Sequence, residues 1–331
     1  MKNSLQKIKE FNDNYSNTIQ AIVGFMHIYK YEFKKEKNID VKLFQGRKFD
    51  KENDKENFAT PDIGILINEK SGVIGEVKNS FPKDTSLWKE DFLQLLQYDD
   101  NLIGWPVKDE IIPLYDIVLL VQDSRSRDVK DYFLSKKDEL KFNHPFIIIE
   151  YGRSDEAKHY FRFRIEYGNL SEPIIHSKIY SGCPIAMEYL VVQYSKILIY
   201  DTPPHLSWMM FLIYSCMIDK ATEENKYHKI NKKTKIELEI SIDEVVERLH
   251  KTYSFCSFHK NHQERQPKLP KKDWVKQAIL KLVFIGEVRW KDEQQENIIF
   301  LLQKHDKSVI EHYAEKCLSE ENDVNQTTLR F

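Results

Sequence analysis

Apolar residues recur at helical spacing across residues 16–37, where Ile19, Ile22, Val23, Met26, Tyr29 and Phe33 line one side of an amphipathic helix. A polar stretch with interspersed acidic and basic residues follows at 45–57. Two β-branched runs, 61–67 and 73–78, then flank the turn-rich loop Asn68-Glu69-Lys70-Ser71-Gly72, which predicts a hairpin. Helical spacing returns at 86–99, with Trp88, Phe92, Leu95 and Leu96 on one side. Residues 115–121 and 145–151 read as buried strands on either side of a polar helix at 125–140. Residues 159–167 alternate, Phe161, Phe163, Ile165 and Tyr167 facing one way and Arg162, Arg164 and Glu166 the other. The order helix, hairpin, helix, strand, helix, strand, strand predicts a mixed α/β core over residues 1–168.

Residues 169–204 form a connecting segment of uncertain structure, within which 187–200 fits a helix or a helix followed by a strand. Asp201-Thr202-Pro203-Pro204 closes it as punctuation. A second domain is expected over 205–331. It opens with a helix at 207–220 carrying Trp208, Phe211, Leu212 and Cys216, then a short strand at 235–240. Ser241-Ile242-Asp243-Glu244 fits a capping box for a helix bearing Val245, Val246 and Leu249. A further helix at 271–284 buries Trp274, Ala278, Ile279 and Leu282, and Gly286 suits its C-terminal cap. Strands at 287–290 and 297–302 then enclose Lys291-Asp292-Glu293-Gln294.

With 331 residues, 41% apolar and 31% charged, the chain has the composition of a soluble, core-forming protein of two ordinary domains. No run is long and apolar enough for a membrane span, and Met1-Lys2-Asn3-Ser4 is not followed by a signal core, so a cytoplasmic location is expected. The cysteines, Cys183, Cys216, Cys256 and Cys317, stand far apart and read as reduced thiols. Net charge is only −2, but between Lys226 and Lys281 fourteen Lys and Arg face seven Asp and Glu. That stretch is a basic patch open to a polyanion, or a Lys-rich solvated surface.

Strand parity brings chemistry to the hairpin. Ile63, Ile65, Ile67, Val73 and Val77 share one face, and Asp62, Glu76 and Lys78 the other. A five-residue loop puts Asp62 opposite Lys78, with Glu76 one diagonal away. Mg²⁺ favours a few carboxylates, waters and phosphate oxygens. Asp62 and Glu76 can supply the carboxylates and Val77 a backbone carbonyl, while Lys78 orients or deprotonates a water or neutralises developing charge. The plain alternative is an amphipathic hairpin with a surface ion pair.

Pro61-Asp62 followed by Glu76-Val77-Lys78 resembles the signature of the PD-(D/E)XK, or restriction-endonuclease-like, nuclease superfamily. The resemblance covers residues 15–165. It implies a mixed sheet flanked by helices that hydrolyses nucleic-acid phosphodiesters with Mg²⁺ or Mn²⁺, Asp62 and Glu76 as ligands and Lys78 as catalytic partner. It also implies an acid on the first helix that adds a metal ligand, for which Glu32 is the candidate and Glu36 the alternative. Gln94-Leu95-Leu96-Gln97-Tyr98 resembles the QxxxY element of RecB-type members, and its ends lie on one helix face.

The second domain resembles an α+β winged helix, whose recognition helix would be residues 271–284, with Lys271, Lys272, Lys276 and Gln277 outward and the 260–268 loop near phosphates. Together these features lead us to expect a DNA endonuclease acting on duplex DNA, as a homodimer or with a partner protein, in mobile-element movement or defence against foreign DNA. An RNA-directed nuclease of the same core and a non-enzymatic winged-helix adaptor are the alternatives. Cys256, His259 and His262 offer three zinc ligands without an evident fourth. Tyr160 to Arg164 mixes aromatic and basic residues as single-strand binders do, although its alternation fits an ordinary strand.

Overall fold

The computed structural model describes residues 2–33, 39–52, 58–78, 81, 84–107, 113–153, 160–186, 198–199, 201–231, 234–253, 268–305 and 308–328. It divides into two compact units. The first comprises residues 16–201 and 255–267; the second comprises 1–15, 202–254 and 268–331. Helix α1 (Lys2–Phe33) therefore contributes to both. It starts well before the helix read from the sequence, because Leu5 and Ile8 continue the apolar stripe within a charged stretch and pack with Ala314 and Leu318.

In chain order the first unit continues with β1 (Val41–Phe44), β2 (Phe49–Lys51), β3 (Phe58–Ala59), β4 (Ile63–Ile67), β5 (Ser71–Lys78), α2 (Trp88–Leu96), β6 (Leu102–Ile103), β7 (Leu114–Gln122), α3 (Asp123–Ser135), β8 (Phe146–Arg153), β9 (Tyr160–Tyr167), α4 (Pro173–Tyr180) and β10 (Cys183–Ala186). Seven strands form one sheet in the order β1-β4-β5-β7-β8-β9-β10. Strands β5, β7 and β8 run parallel, and the outer pairings are antiparallel. The fold is thus α/β with a mixed sheet flanked by helices. The parallel strands are covered on both faces, which is why β7 and β8 read as continuous apolar runs. On one face Leu66, Ile74, Leu119, Val121 and Ile148 pack with Trp88, Phe92, Tyr98 and Phe133 in one core cluster.

The stretch at 45–57, read as a polar link, enters the core at its start. Gln45 and Arg47 are buried, Gly46 N–H donates to the Pro61 carbonyl (2.9 Å), and Arg47 Nε donates to the Gly104 carbonyl (2.7 Å). Beside it, Gly64 pairs with Phe44 across the β1–β4 ladder. A Cβ on Gly64 would lie 1.7 Å from the Phe44 ring, so the aromatic lies where any side chain would project.

The hairpin forms where expected, but in a different register. Pairs run from Ile63 with Gly75 to Ile67 with Ser71, leaving Asn68, Glu69 and Lys70 as the turn. Asn68 and Glu69 adopt left-handed φ values of 50° and 58°. Asn68 visits this region more readily than most residues, and its Oδ1 accepts from Asp40 N–H at 2.8 Å. The tighter turn shifts every partner by two positions, so that just beyond the last pair, Ile63 with Gly75, Asp62 comes level with Glu76 rather than Lys78.

Strand β9 also departs from strict alternation. A bulge between its pairings with Ile148 and Ile149 sends Tyr167 to the ring of Phe133, while Phe163 lies against Phe25. The unassigned 169–204 segment supplies α4 and β10; most of 187–200 lies outside the described residues.

The second unit runs α5 (Leu206–Glu223), β11 (Ile236–Ser241), α6 (Ile242–Tyr253), α7 (Lys272–Phe284), β12 (Val288–Trp290), β13 (Asn297–Leu302) and α8 (Val309–Thr328). Its sheet order is β11-β13-β12. Ser241 Oγ accepts from Glu244 N–H at 3.0 Å, while the Glu244 carboxylate turns to Lys220 and Arg248, so the capping box is half made. Gly286, at φ 73°, ends α7, and its N–H and that of Glu287 return to Val283 and Leu282. Helix α8 was not legible in the sequence. Among the described residues no helix is long and apolar enough to cross a membrane.

Candidate metal centre

The site begins where β4 parts from β5. In the ladder register Val77 would next face Pro61, but the Pro61 carbonyl is taken by Gly46. The Asp62 carboxylate fills the gap, its Oδ2 accepting from Val77 N–H at 3.0 Å. The N–H and C=O of one strand residue point to the same side, so the Val77 carbonyl is turned toward Asp62 as well. Asp62 and Glu76 are 7% and 3% exposed, and their carboxyl groups lie within hydrogen-bonding reach of one another.

Helix α2 covers this pair. Lys78 Nζ donates to Gln94 Oε1 at 2.8 Å and meets Asp91 Oδ1 at 3.1 Å. Tyr98, in the turn that ends the helix, donates its hydroxyl to Glu76 Oε1. Asp91, Gln94 and Tyr98 follow one another at spacings of three and four, which places them on one side of the helix. Two buried carboxyl groups, an ammonium and their α2 partners thus form one connected cluster.

Its electrostatics are those of carboxylates short of positive charge. Burial pushes Asp62 up to about 6, Asp201 adds repulsion, and the Val77 N–H, Glu76 and Lys78 pull the other way. Glu76 is raised well above the usual carboxylate range by burial and by Asp62, against the pull of Lys78 and Tyr98. Like charges this close in a dry site do not both ionise, so the pair retains a proton near neutrality. A cation can take the proton's place, because carboxylate ligands must be deprotonated to bind. Burial lowers the Lys78 ammonium, but Glu76, Asp91 and Asp62 outweigh it and leave its pKa raised. In the metal-free chain Lys78 is therefore a fixed positive charge.

No family model, curated protein or solved structure matches this chain. What the site can do rests on its own geometry.

Of the residues singled out from the sequence, Asp62, Glu76, Val77, Lys78 and Gln94 are brought together. Glu32 is engaged by Lys178 of α4, and the groups acting most strongly on Asp62 and Glu76 are each other, Asp201, the Val77 N–H, Lys78 and Tyr98. Glu36 lies outside the described residues, as do Cys256, His259, His262 and all of the 260–268 loop except Lys268. Asp91 and Asp201 were missed. Asp91 precedes Gln94 by one helical turn, and that spacing is the signal that points to it; nothing in the sequence ties Asp201 to the hairpin. Lys271, Lys272, Lys276 and Gln277 are exposed at the start of α7, Lys271 over the Trp274 ring and Lys272 paired with Asp243.

The same sheet face carries further charge. Lys78 is level with Val121, Val121 with Glu150, and Glu150 with Arg164, and directly paired residues share a face. Glu150 is held by Ser126 Oγ at 2.8 Å and Arg164 Nε at 2.8 Å, while the Arg162 and Arg164 side chains remain 44% and 45% exposed.

Proposed function

We propose that this chain is a Mg²⁺- or Mn²⁺-dependent nuclease that hydrolyses DNA phosphodiesters. The observation that carries the reading is the buried Asp62–Glu76 pair, short of one positive charge, beside a lysine fixed by a separate helix. An all-oxygen pair of carboxylates and a peptide carbonyl suits these hard cations. Asp62, Glu76 and the Val77 carbonyl would hold the ion, which when bound supplies Lewis acidity toward a phosphate oxygen and a lowered pKa for a coordinated water. Lys78, kept protonated, stabilises negative charge developing on the phosphate. Gln94 and Asp91 aim its ammonium, and Tyr98 fixes the Glu76 carboxylate.

The succession of α1, the β4–β5 hairpin, α2, β7, α3 and β8 supports a restriction-endonuclease-like core. In the second unit, the succession of α5, β11, α6, α7 and a β12–β13 hairpin supports a winged-helix reading, with α7 as the helix that meets DNA. Its exposed Lys271, Lys272 and Lys276, together with Arg162 and Arg164 on the sheet, supply cations for backbone phosphates. A dimer or a partner protein would bring the second centre needed to cut both strands.

The test is a Mn²⁺-dependent cleavage assay of wild type beside Asp62→Ala and Lys78→Ala, on matched duplex DNA, single-stranded DNA and RNA. Metal-dependent cleavage of duplex DNA, lost in both variants, is the expected result. Preference for RNA would redirect the substrate while leaving the centre intact. Equal activity in all three proteins would sink the assignment of the centre.

A further inference from the structure

A second group of metal-ligating side chains lies in the unit that carries α7 and α8. Glu287 follows Gly286 at the end of α7, His305 follows β13, and His312 sits in the first turn of α8. One ligand atom from each lies within 4.8 Å of the others. Glu287 is buried; its Oε1 faces His312 Nε2 at 2.9 Å, and its Oε2 accepts from the Tyr313 hydroxyl at 2.8 Å. Its backbone is pinned too, since its carbonyl accepts from Leu301 N–H at 2.8 Å.

A hydrogen-bonded chain of His312, Glu287 and Tyr313 would by itself fasten α8, and that accounts for two of the three groups in ordinary structural terms. It does not account for His305. The His305 ring lies against His312 with centroids 4.1 Å apart, and among the described residues its buried Nε2 has no hydrogen-bond partner. A buried imidazole nitrogen with nothing to bond is the feature that a cation would satisfy. Two imidazoles and one carboxylate form a donor set suited to first-row transition dications rather than to Mg²⁺. Tyr313 already orients the carboxylate from behind, as outer partners of metal ligands do.

We propose that Glu287, His305 and His312 bind one transition-metal dication of the zinc class, with a water or outside ligand completing the shell. The ion fastens α8 to the α7–β12 turn and to the end of β13. Tetrahedral coordination at about 2.0–2.2 Å draws donor atoms to roughly 3.5 Å from one another, and both imidazoles are partly exposed, so their rings can turn inward. This site is independent of the Asp62–Glu76 centre and differs from it in donor chemistry.

The experiment uses the full chain, stripped with a chelator and titrated with Zn²⁺ or Co²⁺ alone. Asp62→Asn serves as the background, so that the carboxylate centre does not contribute. One equivalent bound, with visible Co²⁺ absorption of tetrahedral type, is expected. His305→Ala and His312→Ala should each weaken binding by about a hundredfold, with folding checked by circular dichroism. Zinc X-ray absorption on the unsubstituted chain gives a readout that needs no variant, and two imidazoles with no sulfur are expected. Absence of stoichiometric binding, affinity unchanged in His305→Ala, or a sulfur shell pointing to Cys256 would each overturn the proposal.

Discussion

Replacing Asp62 by Asn should make the metal-free protein more stable at alkaline pH while abolishing the Mn²⁺ response of this centre. In the folded chain Asp62 titrates at about 6, against an ordinary value of 3.8, with burial the leading cause. The folded state therefore holds this proton to higher pH than the unfolded chain does. Its contribution is complete below about pH 4 and is lost as pH rises through 6. The difference corresponds to about 3 kcal/mol for Asp62 alone. Asn keeps an oxygen for the Val77 N–H and never ionises, so it escapes that loss. Thermal unfolding in chelator, from pH 5 to pH 8, should show Asp62→Asn gaining on wild type as pH rises. At pH 8 the gap should be roughly 6–12 °C, using about 2–4 °C per kcal/mol for a unit of this size. Mn²⁺ at a hundred times its dissociation constant should then add about 2.7 kcal/mol to wild type and nothing at this centre to the variant. A gap that does not change with pH, or a variant less stable than metal-free wild type at pH 8, would refute the idea that these carboxylates are held together against their charge.

Three further outcomes follow from particular contacts. Tyr98→Phe removes a donor to Glu76 worth about 1.5–3 kcal/mol; the acidic limb of the pH–rate profile should move up by about one pH unit or more, with folding retained. Gly64→Ala should destabilise the chain by about 1–3 kcal/mol in urea unfolding, because the added methyl meets the Phe44 ring. Combined Lys271→Ala, Lys272→Ala and Lys276→Ala should weaken duplex binding without regard to sequence and reduce the salt slope by about 2–3; the lower figure applies if Lys272 keeps its Asp243 partner.

What could be read in advance depended on how local the cause was. The β4–β5 hairpin, the buried runs of β7 and β8 and the helix bearing Gln94 and Tyr98 all follow from short-range periodicity, and each was legible. The register was not, because it turns on Asn68 and Glu69 accepting left-handed backbone angles, which a count of loop residues does not reveal. Gln45 and Arg47 look solvated by type; their burial depends on Gly104 and Pro61, remote in sequence. Glu32 was chosen as an acid on the first helix, but its partner Lys178 comes from a segment whose structure the sequence left open. Tyr167 fits the alternation of β9 until one bulged residue turns it over. Asp201 reaches Asp62 from far along the chain, and no spacing rule could have joined them.

The way β4 ends has a consequence for how this chain can vary. Asp62 does the work of a peptide carbonyl at the last rung of the ladder, so the hairpin acts as a ruler with the proposed ligand at its zero mark. A single insertion between Asp62 and Ile67, or between Ser71 and Glu76, would slide the carboxylate off Val77 and strand it from Glu76 in the same stroke.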